Sequence, residues 1–153
     1  MEEIDDTILR LLSAEGRISF TDLGKATGLS TSAVHQRVKR LEQRGVITGY
    51  RATINPEHVG LSLTAFISVR PIDPAEPDDY PERLSGIAEI ESCYSVAGDE
   101  SYILKVRVES PAALEKLLAR IRSEANVSTR TTIVLSIPYE GRPLGGATWP
   151  AAE

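Results

Sequence analysis

The chain has 153 residues, 41% of them hydrophobic and 25% charged, with a formal net charge of −5 at pH 7. That is enough apolar material for one domain core or two small ones, and the acidic balance argues against a protein that coats nucleic acid by electrostatics alone. A single cysteine, Cys93, excludes an intrachain disulfide and a thiolate-based zinc site, while the lack of any run near about 18 apolar residues and of a signal-like N-terminus predicts a cytoplasmic chain with no membrane span.

In chain order, Ile4, Ile8, Leu11 and Leu12 recur at helical spacing and predict a first helix. Phe20–Thr27 reads as a short second helix with Ser19 as its N-cap and Phe20, Leu23 and Ala26 or Thr27 turned inward. Gly28, Leu29 and Ser30 form a tight link into a third helix that ends near Arg44, closed by Gly45. On that helix Val34, Val38 and Leu41 share one face, and Ser32, Gln36, Lys39, Arg40 and Gln43 lie on the other. A surface helix with a solvated polar face would show the same pattern. The short helix and glycine-containing turn before it point instead to a helix-turn-helix, in which the second helix of the pair enters the major groove.

Charge placement agrees with that assignment. Residues 1–55 hold 8 Lys/Arg against 7 Asp/Glu, and the remainder holds 9 against 15. Between Ser30 and Arg44 there are 4 basic residues and 1 acidic one, so the cationic patch sits where phosphate contacts would be needed. The candidate DNA-contacting residues are Ser30, Thr31, Ser32, His35, Gln36, Arg37, Lys39 and Arg40. Arg37 lies to the side of the packed stripe, where it would either brace the helix against an acid such as Asp22 or reach DNA. His35 is lateral, suited to a phosphate or sugar contact.

Val46–Ile54 is β-branched and aromatic, which predicts a small hairpin wing, and Asn55-Pro56 ends it. His58 reads as a linker residue. Strands are expected over 61–70, 89–97, 102–109 and 127–139, with helices opened by Pro81 (to about Ala88) and by Pro111 (to about Glu124). Three prolines between Pro71 and Asp79 forbid regular structure there. The order β-α-β-β-α-β is ferredoxin-like, an antiparallel sheet with both helices on one face. Cys93 and Tyr94 read as packed strand residues. Without further information Gly98-Asp99-Glu100 is a solvated hairpin turn, although a turn glycine with adjacent carboxylates can also hold the two charged ends of an amino acid.

Five segments in order carry a family resemblance: Ile4-Asp5-Asp6; Leu29-Ser-Thr-Ser-Ala-Val34 with Arg37-Val-Lys-Arg-Leu-Glu42; Gly45-Val-Ile-Thr-Gly-Tyr50; Cys93-Tyr-Ser-Val-Ala-Gly-Asp-Glu-Ser-Tyr102; and Thr131-Thr-Ile-Val-Leu135. With these the sequence resembles the Lrp/AsnC, or feast/famine, transcription regulators. The resemblance implies an α+β chain: a winged helix-turn-helix domain over 1–54, a linker over 55–60, and a ferredoxin-like effector-binding and oligomerisation domain over 61–140; residues 141–153 lie outside the resemblance, and their Gly and Pro content predicts a mobile tail. The resemblance also implies dimers formed through the C-terminal sheets, often assembled into octamers. A small effector, usually an amino acid, would sit between dimers at Gly98, Asp99, Glu100, Ser101 and Tyr102, with Thr131 on the facing strand; Ser101 stands where many family members carry Asp. The expected partners are double-stranded promoter DNA, the effector and further copies of the chain. No nucleophile motif, phosphate loop or metal-ligand cluster appears, so neither enzymatic activity nor a metal or cofactor is expected. A DNA-wrapping architectural protein without effector response is the alternative.

Overall fold

The computed structural model describes residues 2–144. They form two compact units, one of residues up to Thr53 with those from Pro138 onward, the other from Ile54 to Ile137.

In the first unit, α1 (Glu3–Ala14), α2 (Phe20–Thr27) and α3 (Thr31–Gln43) enclose a core of Ile8, Leu23, Val34, Val38 and Leu41. The helix boundaries follow from local chemistry. Ser19 Oγ accepts from the Asp22 N–H at 3.0 Å, and Ser30 Oγ accepts from the Ala33 N–H at 3.2 Å, so each hydroxyl satisfies a donor with no partner inside its own helix. Gly28 ends α2 at φ +75°, a conformation natural to glycine. Gly24 is needed for a different reason: a Cβ there would stand 2.7 Å from the Leu29 carbonyl oxygen, so the chain after the turn is seated directly on α2.

The expected hairpin wing does not form. Among the described residues no strand lies between Arg44 and Ser62. The Val46 and Ile47 N–H groups both donate to Leu41 O, at 2.9 and 3.2 Å, and Tyr50 Oη donates to Glu42 Oε1 at 2.9 Å. This β-prone segment is thus tied to the end of α3, with no second strand beside it. Burial first and the Glu42 carboxylate second push the Tyr50 phenol up to about 12.

The second unit opens with a 3-10 turn (Glu57–Val59) and then runs β1 (Leu63–Pro71), α4 (Tyr80–Leu84), β2 (Ile90–Ser95), β3 (Tyr102–Val108), α5 (Pro111–Ala125) and β4 (Val127–Ile133). The sheet order is β2-β3-β1-β4 with every pairing antiparallel, the ferredoxin-like topology expected. Alternation along the strands sends Ala65, Ile67, Val69, Leu104, Val106, Val108 and Val127 into a core with Leu84, Leu114, Leu117 and Ile121 of the two helices. Within this unit α4 and α5 both pack on that one face of the sheet.

Two element ends differ from expectation by more than two residues, and a strand residue differs in burial. Helix α4 stops at Leu84, before Gly86, a residue costly inside a helix. Strand β4 stops at Ile133, not at residue 139, because β1 begins at Leu63; Val134 makes one last bond to Thr64 O at 2.9 Å. Cys93 is exposed rather than packed, since β2 is an edge strand. The expected mobile tail over 141–153 lies outside the described residues from position 145 onward.

Gly24→Ala should destabilise the first unit. Helix propensity favours alanine by about 1 kcal/mol, but overpacking against a backbone oxygen costs about 1–3 kcal/mol and has no flexible side chain to absorb it. The expected outcome is a lower urea midpoint with unchanged far-UV signal in the native state; a wild-type midpoint would mean that the turn yields freely.

Candidate DNA interface and effector site

Helix α3 buries Val34, Val38 and Leu41 to 2% exposure or less and leaves Thr31, Ser32, His35, Gln36, Lys39 and Arg40 exposed. Among the described residues Gln36, Lys39 and Arg40 have no side-chain hydrogen bond or ion pair within the chain, so amide and cationic donors stand free on one face. Ser30 is partly engaged by its cap and by Ser32, 3.2 Å away. His35 sets its ring edge-on to Phe20, with centroids 5.2 Å apart, which fixes it at the side of the interface.

Arg37 differs from the other candidates. Its Nη1 donates to Asp5 Oδ1 at 2.9 Å and its Nη2 lies 2.7 Å from Glu2 Oε2, and these bonds raise its pKa further. It braces α3 against α1, and the acid is Asp5 with Glu2. Asp22 is occupied elsewhere, by the Ser19 hydroxyl at 2.7 Å and Lys25 at 3.4 Å.

In the second unit the turn between β2 and β3 is held by Val96 N–H to Ser101 O at 3.1 Å and by Ser101 N–H to Val69 O at 3.0 Å. Gly98 and Asp99 project into solvent, while the Glu100 side chain is only 16% exposed and pairs with the Arg130 guanidinium. Asp99 meets Arg70 at 3.5 Å. Beside the turn lies a cavity of about 200 Å³ lined by Ser68, Arg70, Glu100, Ser128, Thr129 and Arg130. The β1–β4 register explains the lining. Ser68 stands opposite Arg130 and Arg70 opposite Ser128, so directly paired residues share the sheet face away from α4 and α5.

Of the six expected effector residues only Glu100 lines this cavity; Gly98, Asp99 and Ser101 belong to the adjoining turn, and Tyr102 and Thr131 lie on the other sheet face. Tyr102 is 8% exposed on the helix-covered face, edge-on to Tyr80 with centroids 6.1 Å apart. Thr131 pairs with Ile67 and is turned toward the same core side. Strand alternation separates both from Glu100 and Arg130. Arg70, Ser128 and Arg130, which sequence reasoning missed, carry the opposite phase: Arg70 and Ser128 follow the inward Val69 and Val127 by one residue, and Arg130 continues the outward phase of Ser128. Further along the sheet face away from α4 and α5, Glu91 accepts from Lys105 Nζ at 3.1 Å and Arg107 Nε at 2.5 Å. Burial raises the Glu91 pKa, but these two cations outweigh it and leave the carboxyl below its ordinary value. Tyr94 is exposed rather than packed.

A capped helix-turn-helix with a bare cationic face, followed by a ferredoxin-like unit, defines a DNA-binding transcription regulator with a separate ligand-binding domain. Family models agree: the AsnC-type helix-turn-helix domain matches residues 1–42, and the Lrp/AsnC ligand binding domain matches residues 64–144. The chain belongs to the Lrp/AsnC family. It is 56% identical over 142 residues to the HTH-type transcriptional regulator LrpA of Mycobacterium tuberculosis, covering 93% of this chain and 95% of that protein. The feast or famine regulatory protein of M. tuberculosis complexed with L-methionine superposes with a TM-score of 0.89 at 56% identity, over 91% of this chain and 95% of that one. A Neisseria meningitidis transcriptional regulator in complex with L-Met has a TM-score of 0.85 at 26% identity, over 95% of this chain and 97% of that one.

Proposed function

We propose that this regulator binds pseudo-palindromic promoter DNA as a homo-oligomer in the cytoplasm, acts by binding rather than catalysis, and responds to a free amino acid held at the turn between β2 and β3. The observation that carries the DNA-reading part is the free donor set on α3. Amide and guanidinium groups there match base edges and phosphates in a major groove. Gln36→Ala with Arg40→Ala leaves the Val34–Val38–Leu41 face intact and should cost about 1–3 kcal/mol per lost contact. Specific footprints should vanish while assembly and thermal midpoint stay unchanged; a wild-type footprint would remove α3 from this role.

The effector assignment is supported by charge arrangement. Arg70 and Arg130 can take a carboxylate, Glu100 and Asp99 an ammonium group, and the cavity between them has hydroxyls from Ser68 and Ser128 to orient the ligand. L-Methionine, which two relatives hold, is the natural first probe. Arg130→Gln should weaken its binding by about 1.5–3 kcal/mol, the worth of one charged hydrogen bond, while DNA affinity without effector is retained. An unchanged titration curve for this variant would return the turn to an ordinary solvated hairpin.

Self-association through the sheet face away from α4 and α5 is favoured by apolar side chains left exposed on it, Phe66 and Tyr94 among them. The full chain should sediment as a dimer or larger at micromolar concentration; a monomer there would place the assembly surface elsewhere. An effector can change DNA affinity only by favouring one assembly geometry over another, and DNA reads half-site spacing in steps of about 34–36 Å.

A further inference from the structure

Apolar packing restrains the rotation of α3 only through shape, without directional bonds. Val34, Val38 and Leu41 hold it by apolar contact, which is non-directional and tolerates some roll about the helix axis. A roll of about 10° at a helix outer radius of about 5–6 Å moves a side-chain tip by about 1 Å, beyond the roughly 0.5 Å within which a recognition group must be held. A directional contact to a neighbouring helix narrows that rotation further.

Besides the edge-on contact of His35 with Phe20, a charged group on the flank of α3 is suited to this. Arg37 leaves the flank of α3 and ends in a planar fork whose two terminal nitrogens reach two different carboxylates at the start of α1, Asp5 at 2.9 Å and Glu2 at 2.7 Å. Asp5 is among the few polar or charged residues buried in the molecule, at 7% exposure, and the Arg37 side chain is 18% exposed. An exposed ion pair is screened and mobile, and the Glu2 arm, with that side chain 65% exposed, is of this kind; the Asp5 arm, with side chains 18% and 11% exposed, is largely withdrawn from water. Both acids lie at the N-terminal end of α1, where the helix dipole also favours negative charge. Arg37 is one residue from Gln36 and three from Arg40, so its anchoring fixes the azimuth of both.

We propose that Asp5 and Arg37 are positioning residues for DNA recognition: their ion pair locks the rotation of α3 and thereby sets sequence specificity, without Arg37 touching DNA. The inference rests on α3 being the reading helix. A buried ion pair replaced by apolar residues of similar size often leaves stability unchanged or improved, which allows positioning to be separated from folding.

The test uses the full chain, a duplex selected from a random pool by the wild-type protein, and poly(dI-dC) as non-specific DNA. Asp5→Leu with Arg37→Met should bind the selected duplex about tenfold or more weakly, bind poly(dI-dC) within about twofold of wild type, and keep the salt slope, since no phosphate contact is lost. Arg37→Lys, which keeps the cation but not the fork, should move the same way and covers the case in which the double variant does not fold. Wild-type affinity for the selected duplex in either folded variant overturns the proposal. So does an equal loss on both DNAs with the salt slope reduced by about one unit, because Arg37 would then be a phosphate contact. Gln36→Ala with Arg40→Ala is assayed alongside: if it binds the selected duplex normally, the reading of α3 and this inference fall together, and if it does not, a failure belongs to the clamp alone.

Discussion

Burial of one stripe on each element is the constraint on which both units depend. Val34, Val38 and Leu41 are at most 2% exposed, and withdrawing each such side chain from water is worth about 1.5–3 kcal/mol. Because those three residues recur at helical spacing, satisfying them leaves Gln36, Lys39 and Arg40 no choice but to face outward. The same reasoning, with a period of two in place of 3.6, governs the sheet. Once Ile67, Val69 and Leu104 turn toward α4 and α5, Ser68, Arg70 and Arg130 are committed to the other side. Polar surfaces that meet DNA or an effector are thus the complement of the core pattern.

How much of this was legible in the sequence depended on how local its cause was. Helices α2 and α3 were readable nearly to the residue because Ser19, Ser30 and Gly28 act on donors and dihedrals within a turn of themselves. The ferredoxin-like order was equally plain, since turn residues and alternation repeat through Leu63–Ile133. What failed needed knowledge of a neighbour. Val46–Ile54 has strand chemistry but finds no strand to pair with, and β4 was drawn six residues too long because its end is set by where β1 begins. The partner of Arg37 lies 32 residues away, a distance over which charge pattern carries no address.

The candidate effector site divides in the same manner. Gly98, Asp99 and Glu100 follow from a turn motif, and the structure puts the latter two carboxylates in ion pairs with Arg70 and Arg130. Tyr102 and Thr131 rest on motif position, which specifies sequence order but not strand face, and both fall on the core side. Arg70 and Arg130 belong to segments 60 residues apart that become neighbours only through the β1–β4 register, and no linear motif links them.

The one thiol of the chain has a practical consequence. Cys93 sits exposed on the edge strand β2, yet burial of its sulfur environment and the nearby Glu82 carboxylate push its pKa above the ordinary thiol value. That direction favours the neutral thiol, a poorer nucleophile toward disulfides and alkylating reagents than the thiolate. Raised to alkaline pH, the same residue becomes a unique attachment point for a fluorophore, reporting on the C-terminal unit without any engineered cysteine.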